Sequence, residues 1–218
     1  MTTLVNGQAG TSLPVADRGL QYGDGLFETV ALRNGEPLLW DRHVQRLGEG
    51  CRRLGLPVPE AGFLREELTR IAGTEARAVA KIILTRGTAG RGYRADAASM
   101  ATRIMQRLPW PAHPVAAGRE GVAVRWCATQ LARQPRLAGI KHLNRLEQVL
   151  ARAEWQDDYA EGLMCDTDGL VIEGTMTNLF LVRGDGTVVT PDLSQSGVAG
   201  VMRAQVLDSA AANFRPLL

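Results

Sequence analysis

"GDGLFETVALRNGEPLLW", Gly23 to Trp40, is the stretch on which the fold class turns. It reads as β-structure, and Asn34-Gly35 inside it is a two-residue hairpin turn, since such turns place both central residues at positive φ. Working outward, "TTLVNG" at the start of the chain is also strand-like. Downstream, "DRHVQRLGEGCRRLG" places Val44, Leu47, Cys51 and Leu54 at three- and four-residue spacings, an apolar helical stripe with Asp41 as the expected N-cap. "AGFLREELTRIAG" repeats the pattern with Phe63, Leu64, Leu68 and Ile71. Two strand-like runs follow, "AVAKIILTRG" and "ATRIMQRLPW".

Pro109 to Glu120, rich in Pro, Ala and Gly, is the expected linker. It divides the chain into a lobe over residues 1–108 and a second over 121–218. Beyond it come a strand-like "GVAVRWCATQ" and a helix from about His142 with Leu143, Leu146, Val149, Leu150 and Ala153 on its apolar face. Three more strand-like runs carry turn signals at Asp168-Gly169 and Asp185-Gly186, and a glycine-punctuated loop runs into a last helix. Strands and helices do not alternate regularly enough for a parallel doubly wound sheet. The expected fold is α+β in two lobes, each a sheet with packed helices.

Composition narrows the function. The 218 residues are 45% hydrophobic and 22% charged, with a net charge of +2, which gives no electrostatic case for nucleic acid as a partner. No apolar run is long enough to span a bilayer, and the N-terminus lacks the pattern of a signal peptide. Three scattered cysteines and three scattered histidines argue for a reducing cytoplasm and against both a disulfide framework and a metal site.

Four local features carry chemistry. Lys141, in "LAGIKHLNRLEQVL", sits at the expected start of a helix. There the macrodipole, with Arg136 and Arg145 nearby, favours the neutral amine, and a neutral amine can form a Schiff base. "SGVAGVMR", Ser196 to Arg203, puts small residues before a helix start, an arrangement suited to phosphate. Glu173 lies amid apolar residues, where an ionised carboxylate needs a cation or hydrogen bonds; strict alternation puts it on a face with Val171, Thr175 and Thr177. "RGTAGRGYR" gathers Arg86, Arg91, Arg94 and Tyr93, and arginine forks match carboxylates, so an anionic substrate is expected. An amine, a phosphate cradle and an acid are together what pyridoxal phosphate requires.

These pieces, with "DRGLQYGDGLFETV", "HVQRL", "DGLVIEGTMTNLFLV" and Thr190-Pro191, run in the order of the fold-type IV pyridoxal-phosphate enzymes, which the chain resembles along nearly its whole length. "LAGIKHLNRLEQVLAR" and "GRGY" most resemble the lyase branch, which converts 4-amino-4-deoxychorismate to 4-aminobenzoate and pyruvate on the route to folate. The resemblance implies two α/β lobes around the cofactor and a homodimer acting on a small molecule with carboxylates. It implies Lys141 as the Schiff-base lysine, Glu173 as partner of the pyridine nitrogen, and Arg46 with the backbone of Val201 and Met202 at the phosphate. Asn178 is implied near the cofactor and Thr29 in proton delivery; Arg91 and Tyr93 of the arginine-rich segment are the candidates for holding a substrate carboxylate.

Two departures qualify the match. Leu146 stands where branched-chain aminotransferases carry a tyrosine, which weighs against that branch. The chain also ends sooner than the family pattern, so the C-terminal part is expected to be incomplete. An aminotransferase of the same fold acting on D- or branched-chain amino acids, or an inactive truncated member, stays open.

Overall fold

A nine-residue strand, Gly25–Arg33 (β3), buries Leu26, Glu28, Val30 and Leu32 on one face and leaves Phe27, Thr29 and Ala31 more open on the other. Around it, in the computed structural model, which describes residues 2–95, 99–112 and 117–209, the first of two units is built. This unit comprises Met1–Ala112 together with Lys141–Asn144; the second comprises His113–Ile140 and Arg145–Leu218.

In the first unit the elements before β3 are β1 (Thr3–Val5), β2 (Gln8–Ala9) and α1 (Arg18–Tyr22). After it come β4 (Glu36–Pro37), α2 (Trp40–Leu54), α3 (Ala61–Ala72), β5 (Arg77–Thr85) and β6 (Thr102–Pro109). They form a six-stranded antiparallel sheet in the order β2-β1-β6-β5-β3-β4. The β3–β4 turn is the expected one, with Asn34 at φ 50° and Gly35 at φ 81°. Helices α2 and α3 contact β3, β5, β6 and β1. Leu47, Cys51, Leu64, Leu68 and Ile71 are buried together with Ala80, Ile82, Leu84 and Met105 of the sheet.

Two helix details differ from the sequence reading. Asp41 is not the N-cap of α2; Leu39, at φ 53°, precedes the helix and Asp41 lies inside its first turn. Phe63 is exposed. The helical face toward the sheet runs through Leu64 and Leu68 and includes Glu67, whose carboxylate is neutralised by Arg103.

The second unit has short elements: α4 (Ala117–Glu120), β7 (Val124–Trp126), α5 (Leu146–Arg152), β8 (Glu161–Cys165), β9 (Val171–Gly174), β10 (Leu181–Val182), β11 (Val188–Val189) and α6 (Val201–Ser209). β7 and β8 are parallel, β8 and β9 antiparallel with a register shift at Met164/Cys165, and β10–β11 a separate hairpin. Leu131, Ala151, Met164, Ile172 and Leu193 form its core.

The helix expected from His142 begins only at Leu146, and its predicted apolar face is not the buried one. Leu146, Val149 and Leu150 are exposed, and Ala151 is the residue that reaches the core. The reason is competition: residues 141–144 are drawn into β-type pairing and cannot supply the first helical turn. The alternation expected through Thr177 also stops at Gly174, and Ile172, Glu173 and Gly174 are all buried.

Candidate active site

Lys141 sits in extended backbone. Its carbonyl accepts the N–H of Phe27 at 2.9 Å, Leu143 N–H donates to the Gly25 carbonyl at 3.0 Å, and His142 bridges antiparallel to Leu26. Asn144 adds a side-chain bond to the Gly23 carbonyl at 3.1 Å. The segment thus extends the sheet along the free part of β3, and the sheet rather than a helix sets the direction of the side chain. The Nζ lies 4.5 Å from the centroid of the Phe27 ring, an arrangement favourable to an ammonium, and Lys81 Nζ lies 5.6 Å from the same centroid. The helix-dipole argument for a neutral Lys141 therefore does not hold. Thr29 follows Phe27 on the same, open face of β3 and is exposed.

Arg46 on α2 has a partner that the sequence reading missed. Its Nε donates to Glu28 Oε1 at 2.8 Å and its Nη2 to Oε2, while His43 Nδ1 shares Oε2 at 2.7 Å. Glu28 is 1% exposed. Burial pushes its pKa up, but the hydrogen bonds and charges of Arg46 and His43 outweigh that and hold it below the ordinary carboxylate value. Glu28 was not singled out in the sequence; alternation through "LFETV" puts it on the apolar face with Leu26 and Val30, but its cation comes from the next helix.

The arginines of "RGTAGRGYR" separate into two kinds. Arg86 is committed internally, its fork donating to Asp24 and to the carbonyls of Leu54 and Gly55, so it is not a ligand-facing group. Arg91 and Tyr93 are exposed.

In the second unit Glu173 is 4% exposed on β9. Its Oε2 accepts the backbone N–H of Val198 at 2.8 Å and faces the amide of Asn178 at 3.4 Å. Asn178 also donates to the Val198 carbonyl, which fixes the amide between the strand and the loop before α6. Arg145, largely buried, interacts electrostatically with Glu173. Burial pulls its pKa down, and the charges of Glu173 and Glu147 pull it partly back. Gly197, at φ 80°, has no room for a side chain: a Cβ there would lie 2.6 Å from Ile172 and 3.2 Å from the Glu173 carboxyl carbon. Helix α6 starts at Val201, so the Val201 and Met202 N–H groups have no acceptor within the helix. Arg203 ties the helix to Thr190 and the Pro191 carbonyl.

Each unit therefore gathers its own share of the expected residues. Lys141, Thr29, Arg46, Arg91 and Tyr93 lie in the first, and Glu173, Asn178, Val201 and Met202 in the second. Among the described residues no cluster of His, Cys, Asp and Glu could hold a metal ion.

The chain belongs to the class IV aminotransferase family, whose model matches residues 25–215. It is 40% identical to an aminodeoxychorismate lyase of Vibrio harveyi over 94% of this chain and 75% of that protein. It also resembles the crystal structure of 4-amino-4-deoxychorismate lyase from Pseudomonas aeruginosa, with a TM-score of 0.92 at 52% identity, covering 99% of this chain and 80% of the other. Similarity extends to a D-alanine aminotransferase of Bacillus licheniformis, 26% identical over 95% of this chain and 74% of that one.

Proposed function

We propose that this chain uses pyridoxal phosphate to convert 4-amino-4-deoxychorismate to 4-aminobenzoate and pyruvate, a reading supported by its similarity to aminodeoxychorismate lyases at 40% and 52% identity. The observation that carries the reading is the setting of Lys141. A primary amine is held by backbone pairing to β3, so its position survives exchange of partners at the amine itself. The donor set fits the cofactor: an amine for the aldehyde, and a buried carboxylate braced by Val198 and Asn178 for a pyridinium proton. A helix start at Val201 and Met202 suits a phosphate; Arg46, which the resemblance also puts at the phosphate, has its Nε and Nη2 on Glu28.

The bound cofactor supplies an aldehyde for the substrate amine and a ring that withdraws electrons from C4. Lys141 would hold the cofactor's aldehyde and, as a free amine, would accept the substrate C4 proton. Glu173 would hold the ring nitrogen of the cofactor in its protonated form; the N–H of Val198 and the charge of Arg145 favour its carboxylate. Arg91 and Tyr93 would bind substrate carboxylate, and Thr29 would pass a proton to the departing enolpyruvyl group. Formation of the aromatic ring makes the elimination downhill, so the protein mainly positions groups and controls protons.

The same reading makes the protein a cytoplasmic homodimer on the route to folate. Three free cysteines support the compartment. The exposed row of Leu146, Val149 and Leu150 on α5 supports a second copy as a partner. Among the described residues no helix is long and apolar enough to cross a membrane.

Aminobenzoate fluorescence after addition of aminodeoxychorismate tests the proposal. Lys141→Ala should lower the rate by about 100- to 10,000-fold and abolish the near-visible absorption that develops with pyridoxal phosphate. Rapid transamination of D-alanine with 2-oxoglutarate and no aminobenzoate would replace the lyase reading with an aminotransferase one.

A further inference from the structure

The motif "DRGLQYGDG", Asp17 to Gly25, has no role in the chemistry above, yet it holds some of the most buried charge in the chain. Arg18 is 4% exposed. Its Nε donates to Asp24 Oδ2 at 2.9 Å, its Nη1 to the Gly92 carbonyl at 2.8 Å and its Nη2 to the Tyr93 carbonyl at 3.0 Å. All three nitrogens of one guanidinium are thus used, two of them on consecutive carbonyls of the segment that carries Arg91 and Tyr93. Gly92, at φ 89°, takes a backbone conformation that side chains rarely adopt.

The ring of Tyr22 adds a second tie. It lies 4.9 Å under the Arg18 guanidinium and meets the Tyr93 ring edge-on at a centroid distance of 5.5 Å. Asp24 is fixed in turn by Arg86, whose fork also holds the carbonyls that end α2. Burial raises the Asp24 pKa, but its bonds to Arg86 and Arg18 bring it below the ordinary value, so the carboxylate stays charged. Asp17, fully buried, accepts from Gly19 N–H, Thr85 and Thr102 and fixes the start of α1.

We infer that Arg18, held by Asp24 and stacked on Tyr22, is the positioning residue for the Arg91–Tyr93 segment, and that through this latch it sets affinity for the substrate carboxylate. The inference rests on the lyase reading for the word "substrate"; the latch itself does not. A segment with exposed side chains gains pre-organisation when its backbone is pinned from below, and pre-organisation lowers the ordering cost of binding. Arg18 reaches the segment only through the backbone carbonyls of Gly92 and Tyr93, so its loss should weaken binding of ground state and transition state alike, which raises KM and spares kcat.

The experiment uses the holoenzyme and the variants Arg18→Gln and Tyr22→Leu. Hydrogen exchange at the amides of residues 92–94, steady-state kinetics with aminodeoxychorismate and the near-visible titration with pyridoxal phosphate are read for each. Arg18→Gln should speed exchange at 92–94 and raise KM about 10- to 100-fold, with kcat within about threefold and the cofactor titration unchanged. Adding Arg91→Ala to Arg18→Gln should cost less than the two changes separately, because both act through one segment. Tyr22→Leu, which removes no buried charge, should give the same pattern at smaller size and decides the matter if Arg18→Gln does not fold. Unchanged exchange in a folded variant overturns the latch; faster exchange with unchanged KM overturns its role in binding. A wild-type enzyme that makes no aminobenzoate refutes the lyase reading instead, while the exchange result still decides the latch.

Discussion

The two units neutralise buried carboxylates in different ways. In the first, Glu28 meets Arg46 and His43, Glu67 meets Arg103, and the half-buried Asp24 is shared by Arg18 and Arg86. In the second, Glu161 accepts from the N–H groups of Gly162, Thr175 and Met176 and from the hydroxyls of Thr175 and Thr177. Glu173 takes the Val198 N–H with the charge of Arg145 nearby, and Asp166 takes the N–H groups of Asp168 and Leu170 with Arg133 beside it. Asp17 is the first unit's exception, bound by hydroxyls and an N–H.

The contrast follows from the backbone. A long antiparallel sheet pairs its own N–H groups, so an acid on its buried face must find a side-chain cation. Strands of two to five residues leave loop N–H groups to be satisfied, and a carboxylate can satisfy several at once. In the second unit acids therefore shape loops, and one of those loops leads into α6.

Removing one partner from each kind of pair tests this difference. Glu28→Gln leaves the Arg46 guanidinium buried without its counter-charge and should cost about 3–5 kcal/mol in urea unfolding. Glu161→Gln keeps one acceptor oxygen for neutral donors and should cost less, about 1.5–3 kcal/mol. Equal losses would mean that the two modes are energetically the same.

Acid should sharpen the contrast further. The folded pKa values of Glu28 and Asp24 are depressed, so their contribution is complete above the unfolded carboxylate value of about 4 and is lost only as pH falls through the lower folded values. Amide exchange in β3 should accordingly stay slow to below that pH, and early loss of protection there would count against the ion-pair account. The smallest effect belongs to the first unit's surface. Phe63→Ser should change stability by no more than about 0.5 kcal/mol, because the ring lies outside the packed face of α3.

Local chemistry was legible in the sequence wherever neighbours along the chain decide the outcome. Asn34-Gly35 made its turn because asparagine and glycine take positive φ more readily than most residues. The stripe of Leu47 and Cys51 faced the sheet, and Glu173 was buried with hydrogen bonds as its apolar surroundings required. Where partners come from distant segments, the periodicity misled. Leu146, Val149 and Leu150 have helical spacing, yet they face outward, because spacing defines a face without saying which way it turns.

By itself, then, the sequence determined the α+β class, the family and the groups on which the proposed chemistry draws: an amine at Lys141, an acid at Glu173 and a helix start at Val201. Tertiary structure alone decided how those groups are held. Lys141 is placed by hydrogen bonds to a strand far upstream, Arg46 and Arg18 by buried acids on other elements, and the Arg91–Tyr93 segment by the carbonyls that Arg18 grips. The physical reason is the same each time: a buried charge or an unpaired backbone group must be satisfied, and the fold chooses which distant residue satisfies it.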